Sequence, residues 1–491
     1  MTAPRNLQLG NINLTFGAQS DPAEMPSEMP FRLLVCGNLS GNRADPVPFN
    51  QRKPTQIDRD NFDEILTGLA PSVTLSNPAN GVDLKISFAE LDDFEPDRLF
   101  RNLPIFEELR TLQSQLGNPA TFQQAAAKIR TWAELPEPAP TPAQHLSSSS
   151  AEVLEQLIEA DRARSELDDW QRFLRQIAQP HLVEKPDPRQ ADYALVIENA
   201  IGAQMRVILH HPAFQALEAA WRSVFLLVKR LPTDADLQIF VLDASLDELR
   251  GDLARDDPSD SVFVRAVLER AVDNPWAVLV SLEVFGKEIA DLEVLASMAM
   301  LSSRAGTPIL AAAAPMLVGC ASWAAAPDPR LWKPDPAIAA AWEMVRGMEV
   351  SRYLGLVTPR FLLRLPYGKD AGQTESFAFE EMPQPEHENY LWGSGAVLCG
   401  LLLAEGFVAS GWQLDADEGR EVNGLPVHVY RDEGEACMKP CAEVLLRETA
   451  LQALSDHGLM VLISLRDRDG VRLHRFQSAA KGTKQLVGPW R

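Results

Sequence analysis

The chain of 491 residues is long enough for roughly three ordinary domains, each able to bury its own core. Hydrophobic residues make up 46% and charged residues 23%, which is typical of a globular protein and excludes a disordered one. The formal net charge of -22 argues against nucleic acid as a partner, because phosphate backbones require clustered Lys and Arg. We interpret the acidic excess as a solvated surface, with an acidic wall facing a basic partner as the alternative.

The cysteines and the apolar segments indicate where the protein resides. Five cysteines, an odd number, lie mostly in apolar surroundings and favour reduced thiols over a disulfide framework. The N-terminus lacks the apolar core of a secretion signal. Two apolar stretches, TPILAAAAPMLVGCASWAAA and SGAVLCGLLLAEGFVASGW, are broken by proline, glycine or glutamate, so neither predicts a membrane span. We expect a cytoplasmic protein without membrane insertion.

The N-terminal part alternates strand and helix signals. Residues 1–28 are polar and predict an extended arm. Strands are predicted at 31–36, SVTLS and VDLKISF. Helices are predicted at 60–70, which is stopped by Pro71, and at 103–116. Residues 1–133 therefore predict a small α/β module.

A linker follows, and then a larger module. Residues 134–150 contain four prolines followed by four serines, a composition that cannot pack a core. Beyond them, 151–190 is a predicted helical segment, and 191–410 alternates helices and strands as in an α/β core. Residues 411–491 are richer in strands and predict an α+β C-terminal part. The segments predicted as strands there are VHVYRD, AEVLLRE and GLMVLISLRD.

The stretch FRLLVCGNLSGNR raises the question of nucleotide binding. A strand that runs into Gly37-x-x-x-Gly41 resembles the beginning of many phosphate sites. A phosphate-binding P-loop, however, needs four residues between its glycines and then Lys with Ser or Thr, whereas Asn42-Arg43 stands here. The dinucleotide pattern also lacks its third glycine. We therefore predict a turn.

A zinc site is the next chemical possibility. Cys437-x-x-x-Cys441 has His428, His457 and His474 nearby in sequence. Structural zinc sites usually show tighter ligand pairs at both ends, so core cysteines are the favoured interpretation.

Two further motifs fail as catalytic sites. Ser394 in WGSGA lacks the spacers of a Gly-x-Ser-x-Gly nucleophile elbow. His210 and His211 are adjacent and point in different directions on a helix, so turn capping before Pro212 is the better interpretation. With no catalytic, cofactor or metal residue identified, we expect a protein of assembly or binding and not an enzyme.

Residues 151–177 predict a charged amphipathic helix. Leu154, Leu157 and Ile158 begin a partial apolar stripe along it. Packing onto its own domain is one interpretation, and docking into the groove of a partner is the other.

Three ordered motifs in the first module resemble the small sheath subunit of bacterial type VI secretion systems. They are PFRLLVCGNLSG, RKPTQIDRDNFDEILTGLAP and LKISFAELDDFEPDRLF. In that family the glycine-containing stretch belongs to the fold and has no nucleotide role. The motif positions that the resemblance assigns to fold or assembly are Arg52, Asp58, Arg59 and Phe62.

The rest of the chain resembles the large sheath subunit. The matching stretches are ILHHPAFQALEAAWRSVFLLV, SRYLGLVTPRFLLRLPYG, YLWGSGA and GLPVHVYRDEG. Ser394 and Gly395 depart from the Asn and Ala usual in the family. The motif positions assigned here to fold or assembly are Trp221, Arg360, Arg364, Tyr367 and Trp392.

The resemblance implies a multi-domain α/β sheath fold and a function in protein secretion. In the family the two subunits are separate chains, whereas here they are fused through the linker. Such pairs stack into a hollow helical tube around an inner tube, are laced by strands donated from chain ends, and contract. The implied partners are further copies of the chain, an inner-tube protein, baseplate components and an AAA+ unfoldase. The helix carrying Leu154, Leu157 and Ile158 is the candidate docking site for the unfoldase, and no cofactor is implied.

Two alternatives remain open at this stage. A non-contractile scaffold or baseplate-associated relative would share the fold and assemble into a single tube state. An enzyme with a site built from scattered residues would reveal itself by tight binding of a nucleotide or a metal.

Overall fold

A computed structural model describes the chain over most of its length. The described residues are 6–9, 12–15, 28–42, 46–76, 83–133, 189–254, 261–269, 274–324, 328–369, 371–432, 434–466, 468–482 and 484–490. The predicted linker 134–150 and the predicted amphipathic helix 151–177, with Leu154, Leu157 and Ile158, lie outside them. The chain divides into two compact units, of which one combines residues 1–102 with 205–491 and the other spans 103–204.

The strands are numbered in chain order. They are β1 (Asn6–Leu9), β2 (Ile12–Thr15), β3 (Phe31–Gly37), β4 (Thr55–Ile57), β5 (Ser72–Ser76), β6 (Asp83–Ser87), β7 (Leu237–Asp243), β8 (Val278–Phe285), β9 (Ile309–Ala313), β10 (Leu354–Thr358), β11 (Phe361–Leu362), β12 (Trp392–Gly393), β13 (Glu421–Asn423), β14 (His428–Asp432), β15 (Glu435–Lys439), β16 (Leu459–Ser464) and β17 (Gly470–Leu473).

The α-helices are numbered in the same way. They are α1 (Phe62–Leu69), α2 (Pro96–Asn102), α3 (Glu107–Leu116), α4 (Pro119–Ala133), α5 (Gln190–Leu209), α6 (Pro212–Arg230), α7 (Leu246–Leu253), α8 (Val262–Val264), α9 (Ile289–Ala305), α10 (Pro336–Gly347), α11 (Gly395–Ser410) and α12 (Glu448–Asp456).

Nine of the described strands form one sheet in the order β13-β17-β16-β10-β9-β8-β3-β7-β4. The six strands from β16 to β7 in this order run parallel to one another. Strands β4 and β17 are antiparallel to them, and β13 is antiparallel to its neighbour β17. Strands β9 and β10 are buried along their whole length, as expected for parallel strands that are covered on both faces. The α/β class predicted from the sequence is confirmed.

Helices cover both faces of this sheet. Successive residues of a strand point to opposite faces, so Leu33 and Leu34 of β3 mark the two sides. Leu34 belongs to the large apolar core that includes the buried side of α9. Leu33 lies on the other side, close to Gly400 of α11. The absence of a side chain at Gly400 lets α11 approach the sheet closely.

The N-terminal segment contributes strands to the middle and to one edge of the sheet. Strand β3 lies between β7 and β8, with Phe31 opposite Leu237 and Leu33 opposite Val278. Strand β4 forms the edge beside β7. Strands β3 and β4 therefore share one sheet with strands of the C-terminal part. The domain division at 134–150 stays a prediction, because that segment lies outside the described residues.

Most of the predicted elements are confirmed, and one strand prediction is wrong. The helix predicted at 60–70 is α1, and the apolar runs before and after it form strands. The AEVLLRE segment forms no strand; its single ladder contact is the bridge from Ala442 to Phe361. The backbone amides at its start donate to two different segments of the chain: Ala442 to Ser464 Oγ at 2.8 Å, and Glu443 to the Arg360 carbonyl at 2.9 Å. They therefore form no continuous ladder with one neighbouring strand.

One described helical stretch, Gly395–Gln413, is long and apolar enough to cross a bilayer by length and composition. Its most apolar part is 61% buried inside the protein. A helix that packs on a sheet needs an apolar surface for the same reason that a membrane span does, so burial accounts for its composition.

The glycine-containing loop after β3 is the turn that the sequence predicts. Gly41 has a φ of +74°, a conformation that glycine adopts without strain. Its neighbours bond to the start of β5: the Ser72 amide donates to the Ser40 carbonyl, and the Asn42 amide donates to the Ser72 carbonyl. A side chain at Gly41 would collide with the Ser72 carbonyl oxygen.

We predict that Gly41→Ala lowers the free energy of unfolding by roughly 2 kcal/mol or more, because it adds left-handed strain to a backbone collision. Gly68→Ala is the matched control, since Gly68 lies in α1 with open space around it. There the change should raise stability by about 0.5–1 kcal/mol. Urea denaturation of both variants measures the difference, and equal effects would contradict the turn assignment.

Candidate functional site

The carboxylate of Asp243 occupies the loop that resembles a phosphate site. The Leu39 and Ser40 amides donate to Asp243 Oδ1 at 2.8 and 3.0 Å. Arg52 approaches the other carboxylate oxygen at 3.1 Å, and both side chains are almost completely buried. Backbone amides arranged in a turn bind anions, and here the anion belongs to the protein itself. We name Asp243, residues 38–42, Arg52 and Glu248 the Asp243 clasp.

Arg52 extends this clasp to the helix that follows β7. Its guanidinium binds both oxygens of Glu248, at 3.0 and 2.8 Å. Glu248 also forms a capping box with Ser245 at the start of α7. A bidentate Arg–carboxylate pair fixes orientation as well as distance, so an N-terminal residue positions the β7–α7 turn.

Of the other N-terminal motif residues, Arg59 and Phe62 contact the C-terminal part, whereas Asp58 bonds locally. Asp58 accepts hydrogen bonds from the amides of Asp60 and Asn61 and shapes the turn before α1. Arg59 donates to the Lys229 carbonyl at 2.8 Å. Phe62 packs edge-on against Trp221, with ring centroids 5.7 Å apart. These contacts hold α1 against α6.

Trp221 joins the same contact surface to the turn after β3. Its ring is fully buried, and its indole nitrogen donates to the Leu39 carbonyl at 2.9 Å. A buried indole needs such a partner, because its N–H loses water when it leaves the solvent.

A second group of charges is buried between α6 and the chain after β11; we name Glu218, Arg222, Arg364 and Glu381 the Glu218 cluster. Arg364 binds Glu218 at 2.8 Å and Glu381 at 2.7 Å. Arg222 binds Glu218 at 2.7 Å. The Tyr367 ring lies 4.3 Å from the Arg364 guanidinium, and its amide donates to Glu381 at 2.7 Å.

The pKa values in this cluster follow from its pairing. Burial alone would raise the pKa of the Glu381 carboxyl, but the charge of Arg364, the nearby His210, and the hydrogen bonds from Arg364 and the Tyr367 amide lower it to about 2. Burial opposes the charge of Arg364, yet Glu218 and Glu381 hold its pKa well above the ordinary value. Glu381 and Arg364 are therefore both charged at neutral pH.

A third group attaches the β14–β15 hairpin; we name His387, Lys439, Glu443, Arg360 and Glu388 the His387 cluster. Lys439 Nζ lies 2.6 Å from His387 Nδ1, and His387 Nε2 lies 3.0 Å from Glu443 Oε1. Arg360 binds Glu443 at 2.5 Å and Glu388 at 3.3 Å. Burial opposes ionisation of Glu443, but His387 and Arg360 lower its pKa to about 2.

Trp392 packs against three residues of the His387 cluster, namely His387, Arg360 and Lys439. Its indole nitrogen donates to the His387 carbonyl at 2.9 Å, and the Arg360 guanidinium lies 5.6 Å from its ring. The Lys439 ammonium lies 5.6 Å from the same ring. Burial lowers the pKa of Lys439 although Glu443 and Glu388 raise it.

The structure thus brings the motif residues together in three places. Sequence reasoning missed the acidic partners, and these are Asp243, Glu248, Glu218, Glu381 and Glu443. An acidic residue within an apolar run, such as Glu218 in α6 or Asp243 at the end of β7, is the signal that could have identified them. Charges are rarely buried without a partner of opposite sign.

The other residues that the sequence analysis considered for catalysis or metal binding cap helices or lie in or near strands. Ser394 caps α11 by accepting from the Ala396 amide, and His211 caps α6 by accepting from the Ala213 amide. Cys441 is buried, whereas Cys437 on β15 is only half-buried, so the expectation of core cysteines is wrong for Cys437. Among the described residues no group of three or more His, Cys, Asp or Glu side chains could hold a metal ion.

Comparison with known proteins assigns the two parts of the chain. Residues 192–480 match the family described as EvpB/VC_A0108, tail sheath N-terminal domain. Residues 7–131 match the family described as type VI secretion system, VipA, VC_A0107 or Hcp2. The chain belongs to the type VI secretion sheath protein family.

Two sheath proteins of Pseudomonas aeruginosa show the same division. The chain is 31% identical over 345 residues to the type VI secretion system sheath protein TssC1. This alignment covers 65% of the chain and 68% of TssC1. It is 29% identical over 117 residues to the type VI secretion system sheath protein TssB1, and this alignment covers 23% of the chain and 68% of TssB1. One chain therefore combines segments homologous to both sheath proteins, which supports the predicted fusion.

We predict that Arg364→Met lowers the free energy of unfolding by roughly 3–5 kcal/mol, because Glu218 and Glu381 would be left buried without compensation. Arg98→Met is the matched control, since Arg98 binds Glu90 at 2.9 Å on the surface. There the change should stay within about 0.5 kcal/mol. Urea denaturation at neutral pH compares the two, and a loss no larger than that of the control would contradict the structural role of the cluster.

Proposed function

We propose that this chain is the structural protomer of a type VI secretion contractile sheath. Copies polymerise into a hollow helical tube around an inner tube and contract to propel it. The observation that carries the proposal is the shared sheet, in which β3 and β4 from the segment matching one sheath family pair with strands from the segment matching the other. A preassembled pair is the building block that a stacked sheath needs, and fusion enforces equal stoichiometry.

The use of the buried charges supports a structural role over an enzymatic one. Glu218, Glu381 and Glu443 are each bound by arginine, and Asp243 is bound by arginine and by backbone amides. Carboxylates held in this way have their oxygens occupied by arginine or amide donors and offer no free position for acid–base catalysis. We propose no cofactor and no catalytic residue.

The β14–β15 hairpin is the proposed assembly element. It pairs with no other strand among the described residues. Val429 and Met438 lie directly opposite each other on it, with exposed fractions of 60% and 44%. A strand pair with open edges is a template for a further strand. We propose that it receives a strand from a neighbouring copy.

The N-terminal hairpin β1–β2 is the proposed donor. Its two strands pair only with each other among the described strands. It lies in the arm near the chain end, where the resemblance places the donated strands. Exchange of such segments between copies would link neighbouring protomers without altering the shared sheet.

The proposed partners follow from the sheath assignment. They are further copies of the chain, an inner-tube protein, baseplate components and an AAA+ unfoldase. We propose a cytoplasmic location, no membrane insertion and no nucleic-acid partner, in keeping with the net charge of -22.

Electron microscopy of the purified full-length protein, alone and with neighbouring secretion components, tests the proposal. Long hollow helical tubes are the expected result, and two tube diameters would establish contraction. One diameter under all conditions would favour the non-contractile scaffold. Dispersed monomers throughout would overturn the assembly proposal, and tight nucleotide or metal binding would then favour an enzyme.

Replacement of Val429 and Met438 together by Asp should abolish tube formation, because two charges on the exposed face of the hairpin would lie beside the side chains of the strand added at its edge. The same change at Val408, an exposed residue of α11 with a similar exposed fraction of 52%, is the matched control and should leave tubes intact. Tube length by electron microscopy and thermal unfolding are measured together. Normal tubes from a folded double variant would rule out the hairpin as the acceptor.

The proposed unfoldase site lies outside the described residues and is tested separately. Leu154, Leu157 and Ile158 replaced together by Glu should abolish co-purification with an AAA+ unfoldase and leave tubes unchanged, because docking helices bind through their apolar face. Gln156→Glu, which adds a charge outside the stripe, should retain co-purification. Loss of tubes in the triple variant would show that the helix is structural.

A further inference from the structure

We propose that the His387 cluster is a pH-sensitive latch: the neutral imidazole of His387 holds Lys439 and thereby the β14–β15 hairpin, and protonation of His387 releases it. The inference concerns the mobility of the hairpin in a single copy. It therefore goes beyond the sheath assignment, and only its consequence for assembly rests on the proposed function.

The contact between Lys439 and His387 holds a single proton. The two nitrogens, Lys439 Nζ and His387 Nδ1, are 2.6 Å apart. An ammonium has three donors and no acceptor, so the imidazole nitrogen must supply the lone pair. If Lys439 were instead the neutral amine, the imidazole would donate the same single proton. Either way, a second proton removes the acceptor.

The opposite side of the imidazole is fixed by a carboxylate. His387 Nε2 lies 3.0 Å from Glu443 Oε1, so Nε2 carries the hydrogen and Nδ1 is the unprotonated nitrogen. Glu443 stays ionised in mild acid, because its pKa is lowered to about 2. The carboxylate therefore keeps the ring in place when the pH falls, and the change occurs at Nδ1.

Charged groups of both signs face this ring from every element around it. Glu443 follows β15, and Glu388, on the same turn as His387, lies 4.0 Å from Nε2. Arg360 follows β10 and is bound to both carboxylates. Lys439 lies on β15. Of these groups Lys439 is the one that contacts Nδ1, so a proton at Nδ1 displaces the ammonium.

The departure of Lys439 loosens one side of the hairpin base. Lys439 is the last residue of β15 and lies opposite His428, the first residue of β14. His428 Nδ1 lies 2.8 Å from Tyr390 Oη. A hydroxyl both donates and accepts, so this bond reverses its direction when His428 is protonated, whereas the ammonium of Lys439 cannot reverse. The two contacts therefore respond differently to acid.

The test is hydrogen–deuterium exchange of the unassembled full-length protein, followed at the amides of β14 and β15 between about pH 7.5 and about pH 5.5. Uptake is corrected with an unstructured peptide of the same sequence. In the wild type, we expect protection of the hairpin amides to fall roughly tenfold more than protection of β9, since one charge-assisted hydrogen bond is lost.

Three variants separate the latch from a general effect of acid. In His387→Gln the amide oxygen accepts from Lys439 at any pH, so the response should disappear. In Lys439→Met the hairpin should be equally mobile at both pH values. His428→Gln is the matched control and should keep the response of the wild type.

The outcomes distinguish this inference from the sheath proposal. A hairpin whose protection does not change with pH, or a response that persists in His387→Gln, would overturn the latch even if the protein forms tubes. A pH-dependent hairpin in a protein that never polymerises would support the latch and overturn only the sheath proposal. If both hold, tubes should assemble more slowly in mild acid in the wild type than in His387→Gln.

Discussion

The backbone hydrogen bonds of β3 are the constraint on which the rest of the structure depends. This buried strand pairs along its whole length with β7 and over residues 33–36 with β8. Buried amide and carbonyl groups must find partners, so neither neighbour can be removed without leaving unpaired groups in the centre of the sheet. The segments related to two separate sheath proteins thus share one sheet, and the fusion keeps β3 beside its partners at high effective concentration.

The buried charged pairs fix the orientation of the N-terminal segment relative to the C-terminal segment. Apolar surfaces alone would tolerate several ways of packing, whereas a bidentate pair such as Arg52 with Glu248 accepts a narrow range of angles. Taking charges out of water costs free energy, and the Asp243 clasp and the Glu218 cluster each offset that cost with several partners. The loop that resembles a phosphate site is one of those partners.

The β14–β15 hairpin is attached to the protein by different interactions from those that hold the nine-stranded sheet together. Its base is attached through polar groups, namely Lys439 with His387 and His428 with Tyr390, and its outward residues include Val429 and Met438. Elements with few buried apolar contacts open at lower free energy than core strands. A rigid sheet that carries a loosely attached strand pair suits a protomer that must hold its shape while its links to neighbours rearrange. In the proposed sheath, the sheet would keep the shape of each protomer and the hairpin would form the links between protomers.

The sequence by itself determined the local elements and the family. The strand predicted at 31–36 is β3, the helix predicted at 60–70 is α1, and the ordered motifs identified both sheath segments. Only the tertiary structure decided that β3 lies between β7 and β8, that Asp243 fills the glycine-containing loop, and that AEVLLRE forms no strand. Periodicity reports which face of an element is apolar. The partner of a strand or of a buried charge is set by contacts between residues far apart in the chain, and no local pattern encodes them.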